Sequence, residues 1–207
     1  MARLSGPKRR EKQKKIRAKN SNASDIRSIK ITSNKDKGKK VDVSTSTVRL
    51  QFYESILQDS LQASVAFVDS GNSVRDGLKK KTVVEGLPIV PNGKENVLLK
   101  FFDNSDEVIE LTMYLNDYDV LSTDSTKELV TLQLCSKEFL TNEDVRINER
   151  FDGPISEHVK LILTDEKYLN SDKDISQIED TQGDTNFTGR NKKCFFTLNK
   201  LAQKSVP

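Results

Sequence analysis

The chain has 207 residues, with 34 Lys/Arg against 31 Asp/Glu, one His, two Cys and no Trp, which is enough for one domain with a real core or for a domain plus a solvated arm. No apolar run approaches the roughly 18 residues of a membrane span, and Met1 to Lys19 holds no apolar block that would act as a signal sequence, so the expectation is a soluble chain made inside a cell, with no membrane partner. The formal net charge of +3 hides two opposed parts: residues 1–40 carry 15 Lys/Arg against 3 Asp/Glu, or +12, leaving 19 against 28, or −9, for residues 41–207.

GPKRREKQKKIRAKNSN lacks the apolar periodicity to bury anything, so residues 1–25 read as a basic arm that is disordered or ordered only in an assembly. Such an arm neutralises nucleic-acid phosphates or lies on an acidic protein surface. No aromatic residue interrupts the first forty positions, so nothing there stacks on bases.

From Ile26 the apolar pattern has period two. IRSIKIT, the turn NKDKGKK and VDVS predict a hairpin; VRLQFYESI and LQASVAFVD predict two further strands joined through Gln58 to Ser60. SGNSVRDGLKKK reads as a polar loop, and TVVEGLPIV as a β-branched segment punctuated by Gly86 and Pro88. VLLKFF, VIELTMYLNDYDVL and ELVTLQLCSKEFL continue the strands, with DNSDE and STDST as turns. Seven or eight short strands without βαβ alternation predict a mainly β (α+β) fold: an antiparallel, tube-like β-barrel over residues 26–147, followed by a helical and extended region over 148–207.

In that last region RFDGPISEHVKLILTD places Pro154 in a first turn and Ile155, Val159 and Ile162 on one face, which predicts a helix of about ten residues. A polar, acidic stretch, NSDKDISQIEDTQGDTN, leads to NKKCFFTLNKLAQKSVP, where Phe195, Leu198, Leu201 and Ala202 recur at helical spacing over 195–204. That stripe is expected to pack beside the Ile155/Val159/Ile162 helix.

The chemistry-bearing residues are sparse. His158 has no second His or paired Cys and falls one place from the apolar stripe, so no catalytic or metal role is assigned to it. Cys135 and Cys194 are too few and too far apart for a disulfide framework or zinc site and read as unpaired, packed thiols. No phosphate-binding Gly-Lys-Ser/Thr loop occurs, and DNSDE, NDYD and SDKD lack the full calcium-loop spacing and its closing Glu. No catalytic, cofactor-binding or metal residue is therefore named, no cofactor is expected, and the chain is read as a structural or interaction protein rather than an enzyme.

Segment order adds a resemblance. LQFYESILQDSLQASVAFVDSGN, VEGLPIV, VLLKFF, LVTLQLCSKEFLTNEDVRINERFDGPISEHVKLIL and IEDTQGDTNFTGRNKKCFFTLNKLAQKSVP, five ordered blocks from about Val48 to Pro207, resemble the N-terminal part of the baseplate hub proteins of contractile-tailed bacteriophages, a group that includes the type VI secretion spike-hub proteins. The resemblance implies a viral structural role in the virion tail baseplate, after synthesis in the host cytoplasm. It also implies a first tube-like barrel that packs with its copies as a homo-trimer or pseudo-hexameric ring, and partners that include the tail tube protein, the spike and other baseplate proteins. The chain departs from the family where Cys194-Phe195 stands for the usual Pro-Phe and Lys200 for a nearby Trp, and it stops where relatives continue into a second barrel, one that is lost, separately encoded or simply absent here.

Two other readings stay open. A single-stranded nucleic-acid-binding barrel needs Phe52, Tyr53, Phe67, Phe101, Phe102 and Tyr114 exposed beside Lys/Arg on a domain that is acidic, so nucleic acid is the less favoured partner. A carboxylate hydrolase needs a deep pocket with converging Asp/Glu of perturbed pKa.

Overall fold

A computed structural model of the chain describes residues 26–35, 39–76, 79–87, 89, 95–102, 107–124 and 127–205. The basic arm at 1–25 lies outside these, as do Asp36 to Gly38, Pro88 and most of the DNSDE turn.

Seven strands form one sheet: β1 (Ile26–Thr32), β2 (Lys40–Asp42), β3 (Thr47–Tyr53), β4 (Gln62–Asp69), β7 (Asn96–Phe102), β8 (Val108–Asp124) and β9 (Lys127–Cys135). Their order, β2-β1-β7-β8-β9-β4-β3, makes a curled half barrel rather than a closed one, with β2 and β3 at its edges. The mostly antiparallel β class agrees with the alternation in the sequence. The chain divides into two compact units, residues 1–49 with 65–131 and residues 50–64 with 132–207.

In the first unit the hairpin expected from IRSIKIT and VDVS is present, with Ile31 opposite Val41. Antiparallel register then aligns the apolar positions: Ile31 faces Val97 and Val97 faces Met113, while Ile29 faces Leu99 and Leu99 faces the half-buried Leu111. A slip of one residue would turn Ile29, Ile31, Val97 and Leu99, all fully buried, toward solvent, so burial of this ladder holds the pairing. On the opposite face Lys100 and Glu110, also in register, form an ion pair of 2.6 Å. β4 is buried at six of its eight positions, which explains its continuous apolar reading, ASVAF.

Two segments of this unit differ from the sequence expectation. SGNSVRDGLKKK contains a small hairpin of β5 (Val74–Asp76) and β6 (Lys79–Lys81), and TVVEG is a single helical turn, α1 (Val83–Gly86), rather than a strand. Thr82 caps that turn, its hydroxyl accepting the Glu85 N–H at 3.3 Å, and the Thr-x-x-Glu spacing is the capping-box signature that outweighs the β-branched Val83-Val84 pair. The buried carboxylate of Asp69, at the end of β4, accepts the Val83 N–H as well as the Gly71 N–H at 2.9 Å and the Ser73 hydroxyl at 2.8 Å. One acidic side chain thereby satisfies the start of the turn and the loop before it.

The second unit contains α2 (Lys137–Asp144), β10 (Arg150–Phe151), α3 (Ile155–Thr164), β11 (Phe187–Thr188) and α4 (Cys194–Ala202). The ten-residue helix predicted after Pro154 is α3, and the closing helix is α4, one residue earlier than its predicted start. α2 stands where the sequence pattern predicts the tail of a strand. Strand alternation ends at Cys135, and extended Ser136 turns the chain into KEFLTNED. Ile147, Phe151, Ile155, Ile162, Tyr168, Leu169, Cys194 and Leu201 form the core of this unit, with Val159, Phe195 and Leu198 packed on it, so α3 and α4 pack side by side as their stripes predicted. The face α4 buries is Cys194, Thr197 and Leu201; Ala202 is exposed.

Candidate functional site

His158 belongs to the packing of α3. It is buried, its ring lies edge-on to Phe151 and Phe187 at 5.6 and 5.5 Å between centroids, and Nε2 is 3.0 Å from the Thr185 carbonyl. A carbonyl oxygen only accepts, so Nε2 carries the proton and the imidazole is held as a structural donor. Both cysteines are buried; burial pushes the Cys135 thiol up to about 11 and raises that of Cys194, so neither is a ready nucleophile. Among the described residues no group of three or more His, Cys, Asp or Glu converges as a metal-ligand set.

Carboxylates do meet in the second unit. A pocket of about 450 Å³ is bordered by Asp59, Glu138 and Asp174. Glu138, on α2, is buried, accepts the Ser171 hydroxyl at 2.6 Å and lies 3.3 Å from the Lys173 ammonium. Burial pushes its pKa up, but the Ser171 bond, its own backbone N–H and Lys173 outweigh that, and the net position is below the usual glutamate range. Asp174 is lowered by the Ser176 N–H and hydroxyl that bind it. Both groups are thus held in the charged form, whereas a general acid needs the opposite shift. On this geometry Glu138 pins the 171–173 segment onto α2, and Asp174 closes a local turn with Ser176.

This gives a pH-dependent prediction. Because the folded pKa of Glu138 is depressed, its contribution is fully present above the ordinary value of 4.5 and is lost as pH falls below that, through the folded value. Glu138→Ala should cost about 2 kcal/mol near neutral pH, by denaturant titration, and flatten the acid side of the stability profile. An unchanged acid limb would remove Glu138 as its cause.

The remaining functional geometry is at the ends of α4. The Phe195 N–H donates to Asn142 Oδ1 at 2.9 Å, Lys193 pairs with Glu143, and Asn199 Nδ2 donates to Asp59 at 3.2 Å, so both α2 and the β3–β4 connection hold this helix. Asn142, buried on α2, caps a helix that starts fifty-two residues later, and nothing in local sequence announces it. The connection carries Ile56 and Leu57, 100% and 91% exposed, and Leu57 borders a surface cleft of about 550 Å³ with Phe139, Phe195 and Phe196. Solvent-facing apolar side chains beside a cleft suit contact with another macromolecule.

Of the aromatics that a base-stacking surface requires, Phe67 and Phe101 are buried in the core, and Phe102 lies under the Arg27 guanidinium at 5.7 Å. Tyr53 is 48% exposed. The six do not form an open platform.

This arrangement, a mostly antiparallel half-barrel sheet joined to a small helical unit, is a fold that phage tail proteins also have. A tail protein from Neisseria meningitidis superposes with a TM-score of 0.50 at 8% identity, over 85% of this chain and 44% of its own. The 43 kDa tail protein of prophage MuSo2 from Shewanella oneidensis gives 0.52 at 11% identity, over 89% of this chain and 51% of its own. A type VI secretion component from E. coli gives 0.40 at 9%, over 85% and 39%. The chain thus spans about half the length, or less, of the structures it matches. No family model and no curated protein sequence matches it.

Proposed function

We propose that the chain is a structural component of a phage tail, specifically of the baseplate hub that joins the tail tube to the central spike, and that it works through its surfaces rather than through an active site. The observation that carries this reading is the shared fold with two tail proteins over 85% and 89% of the chain. The five ordered sequence blocks that resemble hub proteins supply the finer assignment. Exposed apolar residues at the β3–β4 connection, and Val120 and Leu121 near the far end of β8, are what a chain built to meet neighbours presents to solvent. The proposed assembly is a homo-trimer or pseudo-hexameric ring, with tube and spike proteins as partners and the virion baseplate as its location.

Mass measurement of the intact chain, alone and mixed with the candidate tube protein, tests this. A trimer or larger ring, formed alone or on mixing, is the expected result. A monomer under both conditions overturns the hub reading.

A further inference from the structure

A second surface feature of the second unit is electrostatic. In the units' division, residues 50–64 and 132–207 carry 15 Asp/Glu against 11 Lys/Arg, and the structure accounts for seven of those cations locally. Lys137 pairs with Asp172, Arg150 with Asp152, Lys160 with Asp180, Lys167 with Glu149, Lys173 with Glu138 and Lys193 with Glu143. Arg146 instead donates to the carbonyls that end α2, at 3.3, 3.0 and 2.9 Å from those of Asn142, Glu143 and Val145. The four that remain are Arg190, Lys192, Lys200 and Lys204. All four line one groove of about 440 Å³, together with Phe196, and no carboxylate among the described residues lines it.

The groove is a built feature of the fold. Its floor is the turn Gly189–Lys192, in which Arg190 and Asn191 both adopt left-handed backbone, φ 50° and 58°, and which is hydrogen-bonded to the Ile147–Glu149 segment through Ile147 N–H to Lys192 O and Gly189 N–H to Glu149 O, both 2.9 Å. Its wall is α4, where Phe196 and Lys200 stand one turn apart and Lys204 follows in the turn beyond the helix. The Phe196 ring, 47% exposed, holds the Lys192 and Lys200 ammonium groups at 5.4 and 5.5 Å from its centroid. Cation–π contact keeps two like charges near each other without an anion between them, an arrangement that leaves their outward N–H donors directed to solvent.

We propose that this groove is the docking site for an acidic polypeptide segment of a partner protein, whose Asp/Glu side chains engage the Arg190 fork and the three ammonium groups; the proposal rests on the reading of the chain as a protein that works by its surfaces. Charge complementarity selects the class of occupant. In an acidic unit where the other cations are matched, four unmatched ones gathered without a carboxylate form the local site for carboxylates, and desolvating them in a groove makes the pairs worth more than scattered surface pairs. A nucleic acid fits less well. Two of the ammonium groups already stand over the Phe196 ring, and Phe187, the other ring in the lining, is half-buried and stacked on Phe151 at 4.7 Å, so neither offers a base an open face, and a long polyanion extends past the groove onto net-acidic surface.

The test is fluorescence anisotropy on the full chain with three probes: a labelled twelve-residue peptide alternating Asp/Glu with Gly/Ser, its Asn/Gln counterpart, and oligothymidylate. Lys192→Glu/Lys200→Glu should weaken acidic-peptide binding by about tenfold or more, equivalent to about 1.4 kcal/mol. Lys8→Glu/Lys12→Glu in the basic arm should change it less than about twofold, since the proposal assigns the binding to Arg190, Lys192, Lys200 and Lys204. The neutral peptide and oligothymidylate should bind more weakly than the acidic peptide. Both lysines of the groove variant are exposed, and Lys192→Gln/Lys200→Gln, which adds no negative charge, should show a smaller loss in the same direction with an unaltered thermal midpoint. Absence of acidic-peptide binding in the unsubstituted chain, loss confined to the arm variant, or groove-dependent binding that favours oligothymidylate would each overturn the proposal. The mass measurement above does not depend on this result, so the two readings fail separately.

Discussion

Replacing Ile162 by alanine lowers the stability of the second unit by about 3 kcal/mol. Ile162 is fully buried at the centre of the α3 face, among Phe151, Ile155, Tyr168, Leu169, Cys194 and Leu201. The cost of such a truncation depends on how far the neighbours relax into the space, and here they are held by backbone. The Leu169 N–H donates to the Ile162 carbonyl at 3.1 Å, Ile147 is bonded to Lys192, and the start of α4 is capped by Asn142, so three sides of the cavity are fixed. Leu161→Ala, one residue away but 42% exposed, should change stability by less than about 0.5 kcal/mol. Denaturant titration followed by helical circular dichroism separates the two, because three of the four α-helices among the described residues are in this unit. Equal losses in both variants would mean that α3 buries a different face.

What could be read beforehand follows from the range over which each signal acts. Burial alternates with period two along β7, in the first half of β8 and in β1 from Ile29 onward, past the bulge between Ile26 and Ser28, and their pairing was legible because period two is a local property. Helices α3 and α4 were legible for the same reason, since stripes such as Ile155/Val159/Ile162 recur within two turns. The segments that differed are short and decided by a tertiary partner. α1 depends on the buried Asp69 carboxylate fourteen residues earlier, and α2 on Glu138 meeting Ser171 and Lys173 across a loop. His158 illustrates the same limit: its place next to the stripe was visible, but its bond to Thr185, twenty-seven residues on, was not. The basic groove was hidden for a different reason. Arg190, Lys192, Lys193, Lys200 and Lys204 look alike in sequence, and only the pairing of Lys193 with Glu143 distinguishes it from the four that line the groove. A charge count reports composition, whereas the site is defined by which charges stay unmatched after folding.

Gly189→Ala is expected to be at least as damaging as the core truncation, with a loss of about 3 kcal/mol or more. An ideal Cβ at this position falls inside contact distance of the Ile147 carbonyl oxygen and lies 2.6 Å from the carbonyl carbon. Those atoms are backbone and have no rotamer into which to retreat, so the methyl group separates the 189–192 turn from residues 147–149 and breaks the two 2.9 Å hydrogen bonds that join them. The consequence reaches further because Arg190 and Asn191 are held in left-handed conformation by that attachment, at a cost of order 1 kcal/mol each; once released, they return to ordinary backbone angles and carry the Arg190 and Lys192 side chains away from Phe196. Gly71→Ala supplies the comparison. Gly71, unlike Gly189, sits at positive φ, 72°, but a Cβ there meets nothing within 4 Å, so only backbone strain of about 1 kcal/mol is expected. Thermal unfolding should therefore rank Gly189→Ala well below Gly71→Ala, and anisotropy at a temperature where the variant is folded should show acidic-peptide affinity falling with it. If the two glycine variants lose the same stability, close approach of the turn to Ile147 is not what shapes the groove.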